Sequence, residues 1–119
     1  MSDLLLSFDL SSVTPQHDAP PPDRVISGEP RFTTWNLEET AGDRLFAGVW
    51  EATPGKWRIA YDEWEYCTIL SGVSVLTNEA GESVTVTAGD AFILGPGYKG
   101  TWEVVETTRK QYVIHLPEE

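Results

Sequence analysis

The sequence contains few of the residues that form crosslinks or hold metal ions in proteins. Its 119 residues include one cysteine and two histidines. The single cysteine, Cys67, can form neither an internal disulfide nor a cysteine-rich metal cluster, so a reducing cytoplasm is the expected location. No apolar run approaches the roughly 20 residues that cross a bilayer, and the amino terminus lacks a signal-peptide pattern. We therefore expect a soluble cytoplasmic protein that makes no membrane contact.

Basic residues are scarce as well. Eight Lys and Arg stand against 19 Asp and Glu, which gives a net charge of −11. A field of that sign repels phosphate backbones, so nucleic acid is not an expected partner. With 40% apolar and 23% charged residues, the composition is that of a single soluble globular domain.

Turn signals divide most of the chain into short β-rich runs at the spacing of a sandwich or barrel. Corners rich in Gly, Pro and Asn occur at 41–43, 53–55, 71–72, 78–81, 88–90 and 95–97. The predicted strands are 31–36, 45–52, 57–61, 64–70, 73–77, 83–87, 91–94, 100–105 and 111–116. The fold class is therefore predicted to be all-β.

The first 30 residues differ from the rest. Leucines at 4–6 precede a run of three prolines at 20–22, which favours an extended backbone and donates no ladder hydrogen bonds. We predict an arm over 1–30, wrapped on the domain or on a neighbouring subunit, or else a disordered tail. The remaining residues, 31–119, are predicted to form one domain.

Two spaced motifs resemble the signatures of the cupin family. Glu65 is followed after six residues by Gly72, and 17 positions later begins Gly-Asp-Ala-Phe-Ile-Leu-Gly-Pro-Gly-Tyr-Lys-Gly-Thr-Trp over 89–102. The resemblance implies a double-stranded β-helix, the jelly-roll or RmlC-like cupin barrel. Segments 48–57 and 99–104 are similar to small single-domain cupins grouped with ureidoglycine aminohydrolase and ethanolamine-utilisation proteins.

The family's metal ligands are missing from this sequence. The resemblance places a His-x-His pair shortly before Glu65, at Ile59 and Tyr61 or at Arg58 and Ala60, and none of these is histidine. It places a third histidine at Gly100. Only Glu65 matches a family ligand, and a transition-metal site usually needs three or four. We therefore expect no metal and no other cofactor.

Strand alternation orients the candidate pocket residues. Glu65 and Cys67 share a face, which is the barrel interior if Glu65 holds the family's position. On the preceding strand either Tyr61 or Arg58 points inward, and the sequence leaves both open. We assign catalytic roles to Glu65 and Tyr61, and ligand-binding roles to Trp50, Arg58, Cys67 and Trp102.

Each assignment competes with a structural role. Glu65 could pair with Arg58 or Lys110, and Cys67 is better interpreted as a small thiol that fills the core. Each tryptophan, taken alone, fits core or dimer-interface packing better than a pocket wall. Lys110 is itself expected to pair with a local acid, Glu103 or Glu106.

Three functions remain, and the first is preferred. It is a metal-independent cupin that binds a small polar metabolite in its barrel, with or without turnover. The second is an aminohydrolase-like or isomerase-like enzyme whose non-standard metal site combines Glu65 with Tyr61, Glu63 or His115. The third is a non-catalytic dimeric accessory protein. A homodimer is the expected assembly because open cupin sheets commonly associate.

Overall fold

The computed structural model describes residues 4–40, 42 and 44–117, and their backbone is mainly β. The all-β jelly-roll prediction is confirmed. The described residues include two single turns of 3-10 helix, Leu10–Ser12 and Pro22–Arg24, and none of their helices is long and apolar enough to span a membrane. The strands are β1 Gln16–Asp18, β2 Val25–Gly28, β3 Phe32–Thr40, β4 Leu45–Ala52, β5 Gly55–Ala60, β6 Trp64–Asn78, β7 Ser83–Thr87, β8 Ala91–Leu94 and β9 Lys99–His115.

All strand pairs are antiparallel, and β9 joins the two halves of the barrel. One edge of β9 pairs with β6 along nearly its whole length. The other edge pairs first with β5 and then with β4. Strand β3 extends the sheet beyond β4, and β7 and β8 pair with opposite ends of β6. The sheet therefore curls around an interior that β4, β5, β6 and β9 line together.

Two predicted interruptions are wrong. Strand β6 runs unbroken through Gly72, where the sequence indicated a turn, and β9 runs unbroken where we predicted two strands, 100–105 and 111–116. The register of β6 against β9 shifts three times between Ile69 and Ser74. Gly72 has φ of +91°, and a Cβ there would overlap the carbonyl oxygen of Thr107. The glycine thus forms a β-bulge, which bends a long strand without ending it.

The amino-terminal segment contributes two strands that the sequence did not indicate. Strand β1 pairs with β3, and β2 pairs with β5. The predicted hairpin at 78–81 is confirmed, since Thr77 pairs with Ser83 across a turn in which Gly81 has φ of +85°. The predicted turn at 41–43 lies partly outside the described residues.

A buried chain of hydroxyls fixes the largest core side chain. Trp102 is 1% exposed, and its indole Nε1 donates to the hydroxyl of Ser74 at 3.0 Å. The Ser74 and Thr108 hydroxyls lie 2.7 Å apart, and Thr108 donates to the carbonyl oxygen of Glu106 at 2.9 Å. Buried polar groups are costly unless they are paired, and these are paired. The orientation of the Trp102 ring is therefore set by β6 and by the second half of β9.

Replacing Gly72 by alanine should destabilise the protein by at least about 3 kcal/mol, because strained backbone and steric overlap act together. Gly81→Ala is the matched control, since it has a similar φ but nothing within 4 Å of the added Cβ. It should cost only the conformational term of about 1–2 kcal/mol. Denaturant unfolding followed by tryptophan fluorescence measures both variants, and equal losses would contradict a role for packing at Gly72.

Candidate functional site

The interior of the barrel contains a cavity of about 520 Å³. Strands β3, β4, β5 and β9 supply most of its wall, and β6 supplies Glu65. Seven of the lining side chains are aromatic, and its charged residues are Glu39, Glu63, Glu65 and Lys110. A mostly apolar wall with a few convergent polar groups is typical of small-molecule sites.

The centre of the site is a buried ion pair. The Nζ of Lys110 lies 2.8 Å from the Oε2 of Glu65, and both side chains are at most 5% exposed. The same Nζ lies 4.6 Å from the ring centroids of both Trp50 and Trp102. Aromatic faces attract a cation at that distance, so the ammonium is held by a carboxylate and two rings together.

Strand register brings the two charges together. On β6, Glu65, Cys67 and Ile69 are buried, and they lie opposite alternate residues of β9. Lys110 is the Cα partner of Ile69, whereas Glu65 is the partner of Ile114. The lysine side chain therefore reaches along the inner face, past Cys67, to the carboxylate. The predicted pairing of Lys110 with Glu103 or Glu106 is wrong, and the alternative pairing of Glu65 with Lys110 is confirmed.

Burial and the neighbouring charges together shift the pKa values of the groups around the pair. Burial alone would lower the pKa of Lys110, but the interactions with Cys67, Glu65 and Tyr61 outweigh burial and raise that pKa. Burial, with a contribution from Glu65, raises the pKa of the Tyr61 hydroxyl well above its usual value. Burial also raises the pKa of Tyr112 to about 12, again with a contribution from Glu65. Both tyrosines therefore carry hydroxyl protons at neutral pH.

Four of the predicted site residues line the cavity together: Tyr61, Glu65, Trp50 and Trp102. Cys67 is fully buried and is not among the residues that line the cavity. Burial raises the pKa of its thiol to about 12. This environment matches the core-filling interpretation of the thiol.

Arg58, to which the sequence analysis gave a ligand-binding role, does not line this cavity. Trp57 and Ile59 line the cavity wall, so alternation turns Arg58 to the outer face of β5. There it is exposed, and its guanidinium donates to the backbone carbonyl of Asp23 in the amino-terminal segment. The sequence left open whether Tyr61 or Arg58 points into the barrel, and the structure shows that Tyr61 does.

Sequence reasoning missed a polar group in the cavity lining. The Tyr112 hydroxyl donates to the Oδ1 of Asn36 at 2.7 Å, and the Nδ2 of Asn36 donates to the Oε1 of Glu39 at 3.0 Å. Gly48 leaves space for this hydroxyl, because a Cβ there would approach it within 2.8 Å. Alternation along β9 from Lys110 was the one signal that could have indicated Tyr112.

The residues around Glu65 do not fit the metal site of other cupins. Within the described parts of the chain, no group of three or more His, Cys, Asp and Glu side chains could hold a metal ion. Beside Glu65 stands an ammonium, which repels a second cation. His115 is exposed and does not line the cavity. At Gly100, a Cβ would overlap the carbonyl oxygen of Thr77, so the backbone leaves no room for a histidine.

A curled antiparallel barrel with one interior cavity defines a cupin-fold protein. Residues 39–112 match the family model of EutQ-like cupin domains, and the chain belongs to that family of the cupin superfamily. None of the curated proteins compared with the chain matches it.

Solved structures support the same fold. A Pseudomonas syringae pv. tomato protein of unknown function from the DUF861 family is 30% identical, with a TM-score of 0.79 over 90% of this chain and 46% of its own. This chain therefore spans less than half of that protein. EutQ of Clostridium difficile is 19% identical, with a TM-score of 0.66 over 99% and 98% of the two chains. A predicted oxalate decarboxylase of Thermotoga maritima is 18% identical, with a TM-score of 0.71 over 96% and 100%.

Lys110→Met should destabilise the protein by about 3–5 kcal/mol, because it leaves the carboxylate of Glu65 buried without a counter-charge. Adding Glu65→Gln should recover most of that loss, since no charge then remains buried. The matched control is Glu51→Gln, which removes the 2.9 Å pair with Arg109, whose side chains are about one-third exposed. It should cost at most about 1 kcal/mol in denaturant unfolding. A loss from Lys110→Met no larger than the control would contradict the central position of the pair.

Cys67 should resist thiol reagents in the native protein and react once it is unfolded, because its thiol is buried and protonated. The unfolded thiol ionises near its ordinary pKa of 9.0 and the folded one near 12. Its contribution to stability is therefore complete below pH 9.0 and is lost as the pH rises toward 12. Unfolding free energies measured across that range should fall less steeply in Cys67→Ala. A slope unchanged by the substitution would exclude the thiol as its source.

Proposed function

We propose that this chain binds a small polar metabolite in the barrel cavity, without the histidine-based metal site of other cupins. The observation that carries the proposal is the buried Lys110–Glu65 pair between Trp50 and Trp102 at the cavity wall. It supports a binding role because it fixes a carboxylate and two aromatic rings before any ligand arrives. Pre-organisation of this kind lowers the entropy cost of binding.

Two sets of polar groups line the cavity. Tyr61 and Glu65 supply a hydroxyl and a carboxylate, and Tyr112 and Asn36 supply a second hydroxyl and an amide. Aromatic rings make up much of the remaining lining. A ligand that combines several polar groups with an apolar part fits this lining.

The finer resemblance to ureidoglycine aminohydrolase-like cupins supports including ureides among the compounds to test. In a turnover reaction Glu65 would exchange a proton with the substrate, and Tyr61 would donate a hydrogen bond to it. The ion pair engages Glu65 beforehand, which favours a fixed binding role over proton transfer. Binding is therefore the primary proposal, and turnover is secondary to it.

A thermal-shift screen of ureides, amino acids, sugar acids and small amines should reveal at least one stabilising compound. Calorimetric affinity for that compound should fall about tenfold in Tyr61→Phe or Tyr112→Phe, the cost of roughly one hydrogen bond. Tyr66→Phe is the matched control, because Tyr66 is 38% exposed and lies outside the cavity lining. The proposal fails if no compound stabilises the protein or if the control weakens binding equally. Stoichiometric Mn, Fe, Ni or Zn in untagged protein would also count against it.

A further inference from the structure

We infer that the cavity selects small organic cations, meaning metabolites that carry an ammonium or guanidinium group and no net negative charge. The inference rests on the proposed function, because it concerns the ligand of the same cavity. It follows from the charges and the aromatic faces that line the cavity.

The charges on the wall do not balance. Three carboxylates, Glu39, Glu63 and Glu65, face one ammonium, Lys110. The ammonium already forms the ion pair with Glu65, so those two charges cancel. The Oε1 of Glu39 accepts from Asn36, and the Oε1 of Glu63 accepts from the backbone N–H of Asp62. Across residues 4–40, 42 and 44–117, neither carboxylate forms an ion pair with a basic side chain. Glu39 is exposed and Glu63 is partly buried, so the lining and its rim carry two negative charges without a basic partner.

Aromatic rings line the same cavity. The ring centroid of Phe32 is 5.2 Å from that of Trp50 and 5.0 Å from that of Trp57, and the two tryptophans are 6.2 Å apart. All three rings line the cavity. The protein itself shows that such rings accept a cation here, since the Lys110 ammonium lies over Trp50 and Trp102. An organic cation would gain contact with ring faces and long-range attraction from the carboxylates.

An anion meets the opposite conditions. It would approach two carboxylates and the negative faces of the rings, and its one potential counter-charge is buried and already paired. To reach Lys110 it would have to enter a site that two rings enclose and would lie beside the carboxylate of Glu65, which repels it. The net charge of −11 adds to the repulsion. The cavity is therefore selective by the sign of the ligand's charge.

Calorimetry with isosteric ligands of different charge tests this selectivity for cations. Choline is compared with its uncharged isostere 3,3-dimethylbutan-1-ol and with the anion 3,3-dimethylbutanoate, and propylguanidinium is compared with propylurea. At least one cation should bind about tenfold or more tightly than its uncharged partner, the advantage of a desolvated cation on aromatic faces. That advantage should shrink as ionic strength rises, because the Debye length falls below about 8 Å.

Charge-neutralising variants locate the effect. Glu39→Gln and Glu63→Gln should each weaken cation binding about three- to tenfold and leave the uncharged isostere unaffected. Glu79→Gln makes the same change of charge at an exposed hairpin position outside this cavity, and it should change the affinity by less than about twofold. An equal loss in Glu79→Gln would overturn the inference, because the selectivity would then come from the overall charge.

The outcomes separate this inference from the proposed function. If the uncharged or anionic isosteres bind as tightly as the cations, the selectivity for cations is wrong while metabolite binding stands. If no cation of the set binds but another compound of the metabolite screen does, the result is the same. If neither the set nor the screen yields a ligand, both proposals fail.

Discussion

The interior of this barrel depends on how one buried carboxylate is neutralised. Glu65 is buried on β6 beside Cys67 and Ile69, and a carboxylate there is costly without a counter-charge. The chain supplies that charge from β9, through Lys110. The buried ammonium also lies over the faces of Trp50 and Trp102, which attract a cation. The ion pair and the two rings therefore form one connected unit at the cavity wall.

A lysine ammonium and a bound metal ion give a site different chemistry. A metal ion held by several strands keeps coordination positions open for substrate. The ammonium of Lys110 is instead surrounded by a carboxylate and two rings, and one of its N–H groups already faces Glu65. Under the proposed function, recognition of a ligand comes from the groups around it: the hydroxyls, the remaining carboxylates and the aromatic faces. The proposed function thus replaces metal coordination with hydrogen bonding and cation–π contact.

Local sequence signals were sufficient for the fold and insufficient for the site. Turn residues and the two motifs predicted most strands, because corners are encoded by adjacent residues. The turn predicted at Gly72 is wrong, because a glycine at positive φ occurs in a β-bulge as well as in a turn. The choice between Tyr61 and Arg58 stayed open because alternation defines two faces but not which one is inside. The partner of Glu65 was one of two candidates, since Lys110 is distant in sequence and only strand register brings it near.

The order of strands along the chain has a consequence for how the protein folds. Strand β9 follows all of its partners in sequence, yet it pairs with β4, β5 and β6. Until β9 docks, the inner edges of those strands remain unpaired. Contacts of such long sequence separation slow folding and prolong the exposure of aggregation-prone edges. Lys110 docks together with β9, so Glu65 can enter a dry interior only in the step that closes the barrel.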